Sequence, residues 1–441
     1  KFYQQYITFL FEEKHMPSET QRVKIRLTAL TYEGMALGHL PDGRVVFVTG
    51  GLPDEEAEIE ITEEKRDFVF ARVIQILHPS VKRISPICPH FGTCGGCHFQ
   101  HLNYVDQLSV KRSIVEEQLR RIGRIQNPVV DEVVPSPEIW RYRNTMQFYI
   151  NSEGQICFRK AGSMETVPIH ECYLPAEPIR RLFPSLVFGP SDSGKRIEIR
   201  CDSDRNLMLI EEGHRIDLSD RLAGDSSLTA QQTDSFEKVE SGKKVLFMDV
   251  LGVRFQVSAG SFFQVNLPVA EAMIRYLQNN LPLDSKTNLL DLYCGVGLFS
   301  RFFAEKVAHV DAIELSTDAA SDFAANLAGK GSVSFRRGAV EQVLPQFRIR
   351  GGVAILDPPR SGLKPRALDA IVRIAPSLIA YISCDPATLA RDLRSLLAAG
   401  YRLERITPFD MFPQTYHVET VVLMSHKSAD DFISVKMEYA D

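Results

Sequence analysis

The chain of 441 residues has no apolar run as long as the roughly 20 residues that a membrane-spanning helix needs. Its eight cysteines are few and unevenly spaced, which excludes a secreted disulfide scaffold and indicates a reducing cytoplasm. The strong positive charge of a nucleic-acid coat is also absent, because the net charge is −5. We therefore expect a cytoplasmic protein of several domains that does not enter a membrane.

Basic residues do occur in local patches, such as Lys111 and Arg112 in a stretch of helical periodicity at residues 104–124. Taken alone, such a patch is expected to be a solvated helix face. The sequence begins at Lys1, but Met16 opens a more natural start, so residues 1–15 are left out of the fold prediction.

Three regions differ in their periodicity and predict a multidomain α/β protein. Residues 16–77 alternate in short strands separated by turns, which predicts a small barrel of the oligonucleotide-binding type or a β-domain without a ligand. Residues 78–262 are mixed and predict a central α+β domain, with a polar loop at 229–240 and a hairpin at 244–257. Residues 263–441 alternate strand and helix, which predicts a doubly wound, Rossmann-like parallel sheet.

A glycine loop follows the first predicted strand of this third region. Residues 291–297 contain Gly295 and Gly297 but lack the third glycine of the dinucleotide fingerprint. Glu314 ends the next predicted strand, where an acid can accept hydrogen bonds from ribose hydroxyls. This pairing resembles the S-adenosylmethionine site of Rossmann-like methyltransferases.

The fourth predicted strand ends in Asp357-Pro-Pro-Arg360, at the sheet edge where ligands bind. Enzymes that methylate exocyclic amines have a similar motif with an aromatic residue in the place of Arg360. The arginine argues against amine methylation and leaves Asp357 available to a cofactor or a base.

Cys384 follows the fifth predicted strand and is a candidate nucleophile. Carbon 5 of a pyrimidine is a weak nucleophile, but a thiolate added to carbon 6 creates an enolate that makes carbon 5 reactive. A base must then remove the carbon-5 proton, and Glu419 is the candidate. The nearby His417 either orients Glu419 or is structural.

Four cysteines, Cys88, Cys94, Cys97 and Cys172, form a separate candidate site. Three close thiolates and one remote thiolate suit either zinc or an iron–sulfur cluster. The spacing alone does not choose between these metals.

The motifs at residues 261–266, 291–297, 357–360, 383–386 and 417–419 together resemble those of the RNA uracil-5-methyltransferase family. The resemblance implies that Cys384 attacks uracil carbon 6 and that Glu419 removes the carbon-5 proton. It further implies cofactor and cluster ligands. The S-adenosylmethionine contacts are Gln264, Tyr293, Glu314 and Asp357, and the 4Fe–4S ligands are Cys88, Cys94, Cys97 and Cys172.

The same resemblance implies that the first domain is a TRAM domain that binds RNA. The chain departs from the family at Leu298, in place of a polar cofactor contact, and at Asp385, in place of a common asparagine. Much of the barrel is acidic, so we expect it to contact RNA through its basic residues, Arg22, Lys24, Arg26 and Arg44.

Family members with a TRAM domain and a cluster mostly modify large-subunit ribosomal RNA, which implies an enzyme that makes 5-methyluridine in 23S ribosomal RNA. We expect the protein to be a monomer. Transfer RNA is the alternative substrate. Methylation of cytosine at carbon 5 uses the same thiolate chemistry, but the C-terminal glutamate motif is that of the uracil family. A non-catalytic iron–sulfur RNA-binding protein is a third hypothesis, and the presence of Gln264, Glu314, Asp357, Cys384 and Glu419 argues against it.

Overall fold

The computed structural model describes residues 21–212, 228–232, 245–347 and 351–426. These residues form a closed barrel, a six-stranded sheet, a two-stranded hairpin and a seven-stranded sheet. Within these ranges, no helix combines the length and the hydrophobicity needed to cross a membrane.

The N-terminal barrel closes in the order β1-β2-β3-β5-β4. Its strands are β1 (Arg22–Leu30), β2 (Ala36–His39), β3 (Val45–Thr49), β4 (Glu56–Glu64) and β5 (Phe68–His78). Alternate residues such as Ile25, Leu27, Val46 and Val48 point into a buried core, as the period of two in a half-buried strand requires. The small barrel predicted from the alternation is confirmed.

The basic residues proposed for RNA contact on this barrel lie beside acids. On β1, Arg22, Lys24 and Arg26 stand opposite three glutamates of β4, and Arg44 forms ion pairs with Asp42 and Glu64. These acids offset the positive potential that attracts phosphates. RNA contact through these residues stays a prediction.

The central region contains one long helix and the six-stranded sheet, which runs in the order β11-β10-β9-β6-β7-β8. The elements are α1 (Tyr104–Arg121), β6 (Thr145–Ile150), β7 (Ile156–Arg159), β8 (Thr166–Pro168), α2 (Glu177–Leu182), β9 (Arg196–Cys201), β10 (Leu207–Glu212) and β11 (Leu228–Gln232). The loop predicted at residues 229–240 is wrong at its start, because β11 pairs in parallel with β10 despite its polar sequence. The rest of that prediction, residues 233–240, lies outside the described residues.

A hairpin of β12 (Val245–Val250) and β13 (Val253–Ser258) leads into the C-terminal region and confirms the hairpin predicted there. The elements that follow are α3 (Leu267–Asn280), β14 (Asn288–Leu292), α4 (Leu298–Phe303), β15 (His309–Glu314), α5 (Thr317–Asn326), β16 (Val333–Arg337), α6 (Val340–Val343), β17 (Val353–Leu356), α7 (Pro365–Ile374), β18 (Leu378–Ser383), α8 (Pro386–Ala398), β19 (Tyr401–Phe409) and β20 (Glu419–His426).

The C-terminal sheet runs in the order β16-β15-β14-β17-β18-β20-β19. Its first five strands are parallel, but β20 is antiparallel to β18 and β19 is antiparallel to β20. The prediction of a purely parallel sheet is therefore corrected at this edge. Because β20 runs in reverse, its first residues lie beside the last residues of β18, and Ser383 is paired with Thr420.

Apolar clusters cover both faces of this sheet. Helices α3, α4 and α5 pack against one face, with Met273, Phe303 and Phe323 in the buried cluster. Helices α7 and α8 cover the other face and are joined there by Val115 and Leu119 of α1. The central helix α1 is thus part of the core that supports the C-terminal sheet.

Candidate active site at the carboxyl ends of the parallel strands

Residues from four neighbouring strands meet at one edge of the C-terminal sheet. The glycine loop follows β14, Glu314 ends β15, Asp357 follows β17 and Cys384 follows β18. The strand order reverses at β14, which has β15 on one side and β17 on the other. Ligands of open α/β sheets bind in the crevice at such a reversal.

The glycine loop has a conformation that depends on its small residues. Gly297 has φ +89°, and a Cβ atom there would lie 2.6 Å from Leu327 Cδ2 and 2.8 Å from Phe323 Cδ2. Tyr293 also adopts a left-handed conformation, with φ 63°. Any side chain at residue 297 would push the loop away from α5, so the glycine fixes how closely the backbone can approach a ligand.

Glu314 ties the end of β15 to this loop. Its Oε2 accepts a hydrogen bond from the Gly295 amide at 3.0 Å, and its Oε1 accepts from the Leu315 and Ser316 amides at 2.7 and 2.8 Å. A carboxylate offers about four acceptor sites, so capacity for a ligand hydroxyl remains. These bonds hold the carboxylate in one orientation at the mouth of the crevice.

Asp291 lies beneath the loop and is completely buried. Its Oδ2 accepts from the Ser300 amide at 2.9 Å and the Ser300 hydroxyl at 2.6 Å, while its Oδ1 has no partner among the described residues. Burial, and less strongly the charge of Glu314, raise the pKa of Asp291 to about 6.

Asp291, Glu314, Asp357 and Glu419 form what we call the acid cluster. Burial and then the charges of Asp291 and Glu314 raise the pKa of Asp357 to about 7. Burial and then the charge of Asp357 raise the pKa of Glu419 well above its usual value. The described charges that act on Asp357 and Glu419 are all negative, so the cluster favours bound protons or a cationic ligand.

Cys384 is half-buried beside the acid cluster. Burial and then the charges of Glu419 and Asp357 raise the pKa of its thiol to about 12, against the opposing effect of Arg360. The antiparallel pairing of β18 with β20 brings this thiol to the Glu419 carboxyl. The predicted nucleophile and the predicted base are therefore neighbours, although they lie 35 positions apart in the chain.

Arg360 is the cation near Cys384. Its guanidinium interacts with the charges of Cys384 and Asp385, and its charge lowers the pKa of Tyr416 against the larger effect of burial. Sequence reasoning treated Arg360 only as the replacement for an aromatic residue. The motif at residues 357–360 could have pointed to this role, because it places a fixed positive charge shortly after β17, at the edge of the sheet where ligands bind.

The loop between β19 and β20, residues 410–418, carries Glu419 into place and is held by the central region. The Gln414 carbonyl accepts from the amides of His98 and Phe99 at 2.8 and 3.0 Å. The Gln414 side chain and amide also exchange hydrogen bonds with the side chain of Gln107, at 3.0 and 3.1 Å. The segment after Cys97 thus supports the loop that precedes the base.

His417 belongs to an aromatic group within this loop. Its ring centroid lies 4.2 Å from that of Tyr416 and 5.8 Å from that of Phe412. Burial lowers the pKa of His417 to about 3, so the ring is neutral near pH 7. These contacts favour the structural role for this histidine.

A completely buried ion pair anchors the start of the same loop. Lys111 Nζ donates to Asp410 Oδ1 and, at 2.9 Å, to the Phe412 carbonyl. The expectation of a solvated basic face at Lys111 is therefore wrong, because the side chain points into the interface between α1 and the loop.

The four cysteines Cys88, Cys94, Cys97 and Cys172 line one cavity of ≈ 340 Å³. All four are free thiols, and burial raises the pKa of Cys172 to about 12. Within the described ranges, no three His, Cys, Asp or Glu side chains converge closely enough to hold a single metal ion. The four thiols thus share one cavity in the central region.

Gln264, the remaining predicted cofactor contact, lies half-buried between the hairpin and α3. Its backbone carbonyl accepts a hydrogen bond from Asn144 Nδ2 at 2.9 Å. The structure thus ties this segment to the central region. The other three predicted contacts lie at the ends of strands of the C-terminal sheet, with Glu314 as the last residue of β15 and Tyr293 and Asp357 directly after β14 and β17.

Two regions of the sequence match known protein families, and relatives match nearly the whole chain. Residues 240–427 match the sequence model of the family described as tRNA (Uracil-5-)-methyltransferase, and residues 14–74 match that of the TRAM domain. An uncharacterized RNA methyltransferase of Listeria innocua is 30% identical over 94% of this chain and 100% of its own length. One from Aquifex aeolicus is 31% identical over 92% of this chain and 99% of its own length.

A solved structure shares the fold of nearly the whole chain. The tRNA (uracil-54, C5)-methyltransferase of Pyrococcus abyssi, in complex with S-adenosyl-L-homocysteine, superposes with a TM-score of 0.70 and 26% identity. The match covers 92% of this chain and 100% of the other. The barrel is therefore a TRAM domain, and the chain belongs to the RNA uracil-5-methyltransferase family.

Proposed function

We propose that this protein transfers a methyl group from S-adenosylmethionine to carbon 5 of a uridine in RNA, through a covalent bond between Cys384 and carbon 6. The observation that carries the proposal is the meeting of Cys384 and Glu419 at the ends of the paired strands β18 and β20, beside Asp357. A nucleophile and a proton acceptor on one side of a cofactor crevice are the two groups this reaction needs.

The cofactor crevice suits a nucleoside that carries a positive charge. The bound cofactor supplies the methyl group as an electrophile on a sulfonium. Glu314, held by three backbone amides, has acceptor capacity for ribose hydroxyls, and Tyr293 lies in the glycine loop. Asp357 and Asp291 together favour a cation in the same crevice.

The residues of the chain account for the chemical steps on the RNA base. The Cys384 thiol first loses its proton to solvent, and Arg360 stabilises the resulting thiolate. The sulfur forms a bond to uracil carbon 6, and the electron pair of the carbon 5–carbon 6 double bond moves into an enolate. After carbon 5 has accepted the methyl group, the Glu419 carboxylate removes its proton, the carbon–sulfur bond breaks, and the double bond and the thiolate are restored.

The raised pKa of Glu419 suits this role. A carboxylate whose burial and neighbours disfavour the charged form is a stronger base than an exposed one. A bound cation offsets the negative charge of Asp357, which allows Glu419 to ionise before it must accept the proton. Removal of the carbon-5 proton by Glu419 thereby depends on a cationic ligand in the crevice.

We propose that the four cysteines hold a 4Fe–4S cluster, with a tetrahedral zinc ion as the alternative. A cluster takes one thiolate at each of four irons, which suits cysteines spread around a cavity. We infer that such a cluster is structural, because Cys97 directly precedes the segment that supports the loop of residues 410–418, which leads to Glu419.

Anaerobic purification tests the cluster assignment. We expect brown protein with about four iron and four sulfide per chain if the assignment of four cysteine ligands holds. Cys172→Ala should lose the colour and destabilise the central region, with S-adenosylmethionine affinity retained within about twofold. Stoichiometric zinc in colourless protein would contradict the cluster, and cofactor affinity lost together with the cluster would contradict its structural role.

RNA containing 5-fluorouridine tests the chemistry, because a fluorine at carbon 5 cannot leave as a proton does. The wild-type protein should become covalently joined to this RNA, and Cys384→Ala should form no adduct while it binds S-adenosylmethionine normally. Cys157→Ala is the matched control, since Cys157 is a buried free cysteine on β7 of the central sheet, away from the crevice. Turnover by Cys384→Ala near the wild-type rate would exclude the proposed nucleophile.

The proposed substrate is a uridine of 23S ribosomal RNA, and transfer RNA is the alternative, favoured by the activity named for the Pyrococcus abyssi protein. Mass-spectrometric mapping of 5-methyluridine in both RNAs, from cells with and without the protein, distinguishes them. Loss of one methylated uridine from 23S ribosomal RNA supports the first, and loss confined to transfer RNA supports the second.

A further inference from the structure

We propose that Tyr32, in the β1–β2 turn of the TRAM barrel, is a positioning residue for Cys384 and acts through Asp385. The inference rests on the proposed role of Cys384 and extends it, because it gives the barrel a part in catalysis as well as in RNA binding. The barrel would then help to set the geometry of the nucleophile.

The turn makes a direct contact with the residue after the nucleophile. Tyr32 Oη donates a hydrogen bond to Asp385 Oδ2 at 2.5 Å, between residues that lie 353 positions apart. The turn itself is closed by backbone hydrogen bonds, from the Thr31 amide to the Met35 carbonyl at 2.8 Å and from the Gly34 amide to the Thr31 carbonyl at 3.0 Å. The tyrosine is therefore presented from a well-defined turn.

Asp385 converts this contact into a constraint on the backbone beside Cys384. Its Oδ1 accepts from the Ala387 and Thr388 amides at 3.1 and 2.8 Å and so caps the N-terminus of α8. With Oδ2 bound by Tyr32, both carboxylate oxygens are fixed. The peptide between β18 and α8, which carries Cys384, has little freedom to rotate.

The same turn also contacts the loop of residues 410–418 and the segment at His98 and Phe99 that supports this loop. The ring of Tyr32 lies 5.8 Å from that of Tyr416, and both tyrosines influence the charge of Arg360. Gly34 has φ +79°, and a Cβ atom there would lie 3.1 Å from Phe99 Cε1 and 3.3 Å from His98 Cβ. The turn thus lies close to the residue after Cys384, to Arg360, and to the segment at His98 and Phe99 that binds Gln414.

The chemistry of Asp385 matches a hydroxyl donor. An ionised aspartate only accepts hydrogen bonds, so Tyr32 must donate, whereas asparagine at this position would present an NH2 group to the hydroxyl. Arg360 interacts with the charge of Asp385 and offsets it. The departure from the asparagine common in the family is therefore paired with a donor from the barrel.

Tyr32→Phe in the full-length protein tests the proposal, because it removes the hydroxyl and keeps the ring. We expect the rate of adduct formation at saturating 5-fluorouridine RNA to fall about tenfold or more, since a hydrogen bond to a charged group is lost. The dissociation constant for RNA and the KM should change by less than about twofold. Tyr149→Phe, on β6 of the central sheet, is the matched control and should keep the wild-type rate.

A double-mutant cycle identifies the partner. Asp385→Asn keeps the cap on α8 and replaces the charged acceptor by a neutral amide, so Tyr32→Phe should cost less in this background than in the wild-type protein. A wild-type adduct rate at saturating RNA in Tyr32→Phe, or additive losses in the cycle, would overturn the proposal. Failure of the proposed function gives a different result, because wild-type protein would then form no adduct at all.

Discussion

The molecule contains two groups of buried charge that are built in opposite ways. Lys111 and Asp410 are completely buried and neutralise each other, with a further hydrogen bond from Lys111 to the Phe412 carbonyl. In the acid cluster, Asp357 and Glu419 are surrounded by negative charge. Burial favours uncharged or paired groups. The first group contains its own countercharge, although Asp410 Oδ2 has no hydrogen-bond partner among the described residues, and the second group contains negative charges alone.

We interpret the difference as a division of roles, in which the ion pair supports the fold and the acid cluster favours ligand binding. The ion pair fixes the loop of residues 410–418, while the acid cluster stores electrostatic strain that a cationic ligand or a proton relieves. Both groups act on Glu419, since the pair anchors the loop before it and the cluster sets its pKa. Substitutions should therefore change stability at one group and ligand binding at the other.

The largest expected effect is on the ion pair. Lys111→Met leaves Asp410 buried without its cation, and the free energy of unfolding should fall by about 3–5 kcal/mol. The double variant Lys111→Met with Asp410→Leu should recover most of this loss, because it removes both charges. Denaturant unfolding measures the change.

Lys364→Met is the control for that experiment. Lys364 is exposed and pairs with Glu341 on the surface, so its loss should cost less than about 1 kcal/mol. If Lys111→Met were as mild as this control, the buried pair would not anchor the loop and the comparison would fail.

The second expected effect is on cofactor affinity. Asp357→Asn removes a negative charge from the crevice and should weaken binding of S-adenosylmethionine about tenfold or more, as expected for loss of an interaction with a charged group. S-adenosylhomocysteine lacks the positive charge and should lose less. Calorimetric titration of both ligands checks this, with Asp369→Asn on the exposed face of α7 as the control.

Equal losses for the two ligands would contradict an electrostatic role for Asp357. They would indicate instead that the carboxyl contributes a hydrogen bond that does not depend on the charge of the ligand. An unchanged affinity for both would remove Asp357 from the cofactor site.

The smallest expected effect is on how the free energy of unfolding of the cofactor-free protein changes with each pH unit. The folded-state pKa of Asp357, about 7, is above its usual 3.8. The protonated group therefore stabilises the fold fully below about pH 4, and that contribution is lost as the pH rises through 7. Asp357→Asn should flatten this loss, whose slope for a single carboxyl is at most about 1.4 kcal/mol per pH unit. Denaturation measured from pH 4 to 8 shows whether the slope depends on residue 357, and equal slopes in both proteins would argue against a buried, uncompensated carboxyl.

The sequence predicted the parts of this site that depend on local pattern. Apolar runs such as β17 and β18 are completely buried strands, and chemical groups placed just after them, Asp357 and Cys384, reach the same edge. The barrel followed from alternation in the same way. These features need only neighbouring residues to be recognised.

The contacts that hold the site together depend on residues far apart in the chain. Lys111 and Asp410, Gln107 and Gln414, and Tyr32 and Asp385 are each about 300 or more positions apart, and no periodicity links such partners. The antiparallel strands β19 and β20 were missed for a related reason, since the direction of a strand is set by its neighbours. The same is true of β11, whose polar sequence pairs with β10.

The most direct test of the central claim, that Glu419 is the base of a covalent methyl transfer, is the intact mass of Glu419→Gln after incubation with unmodified RNA and S-adenosylmethionine. Glutamine keeps the size of glutamate but cannot accept the carbon-5 proton. We predict a stable species with the combined mass of protein, RNA and one methyl group, and turnover at least about 100-fold below wild type. Wild-type turnover without any covalent species would show that another group removes the proton.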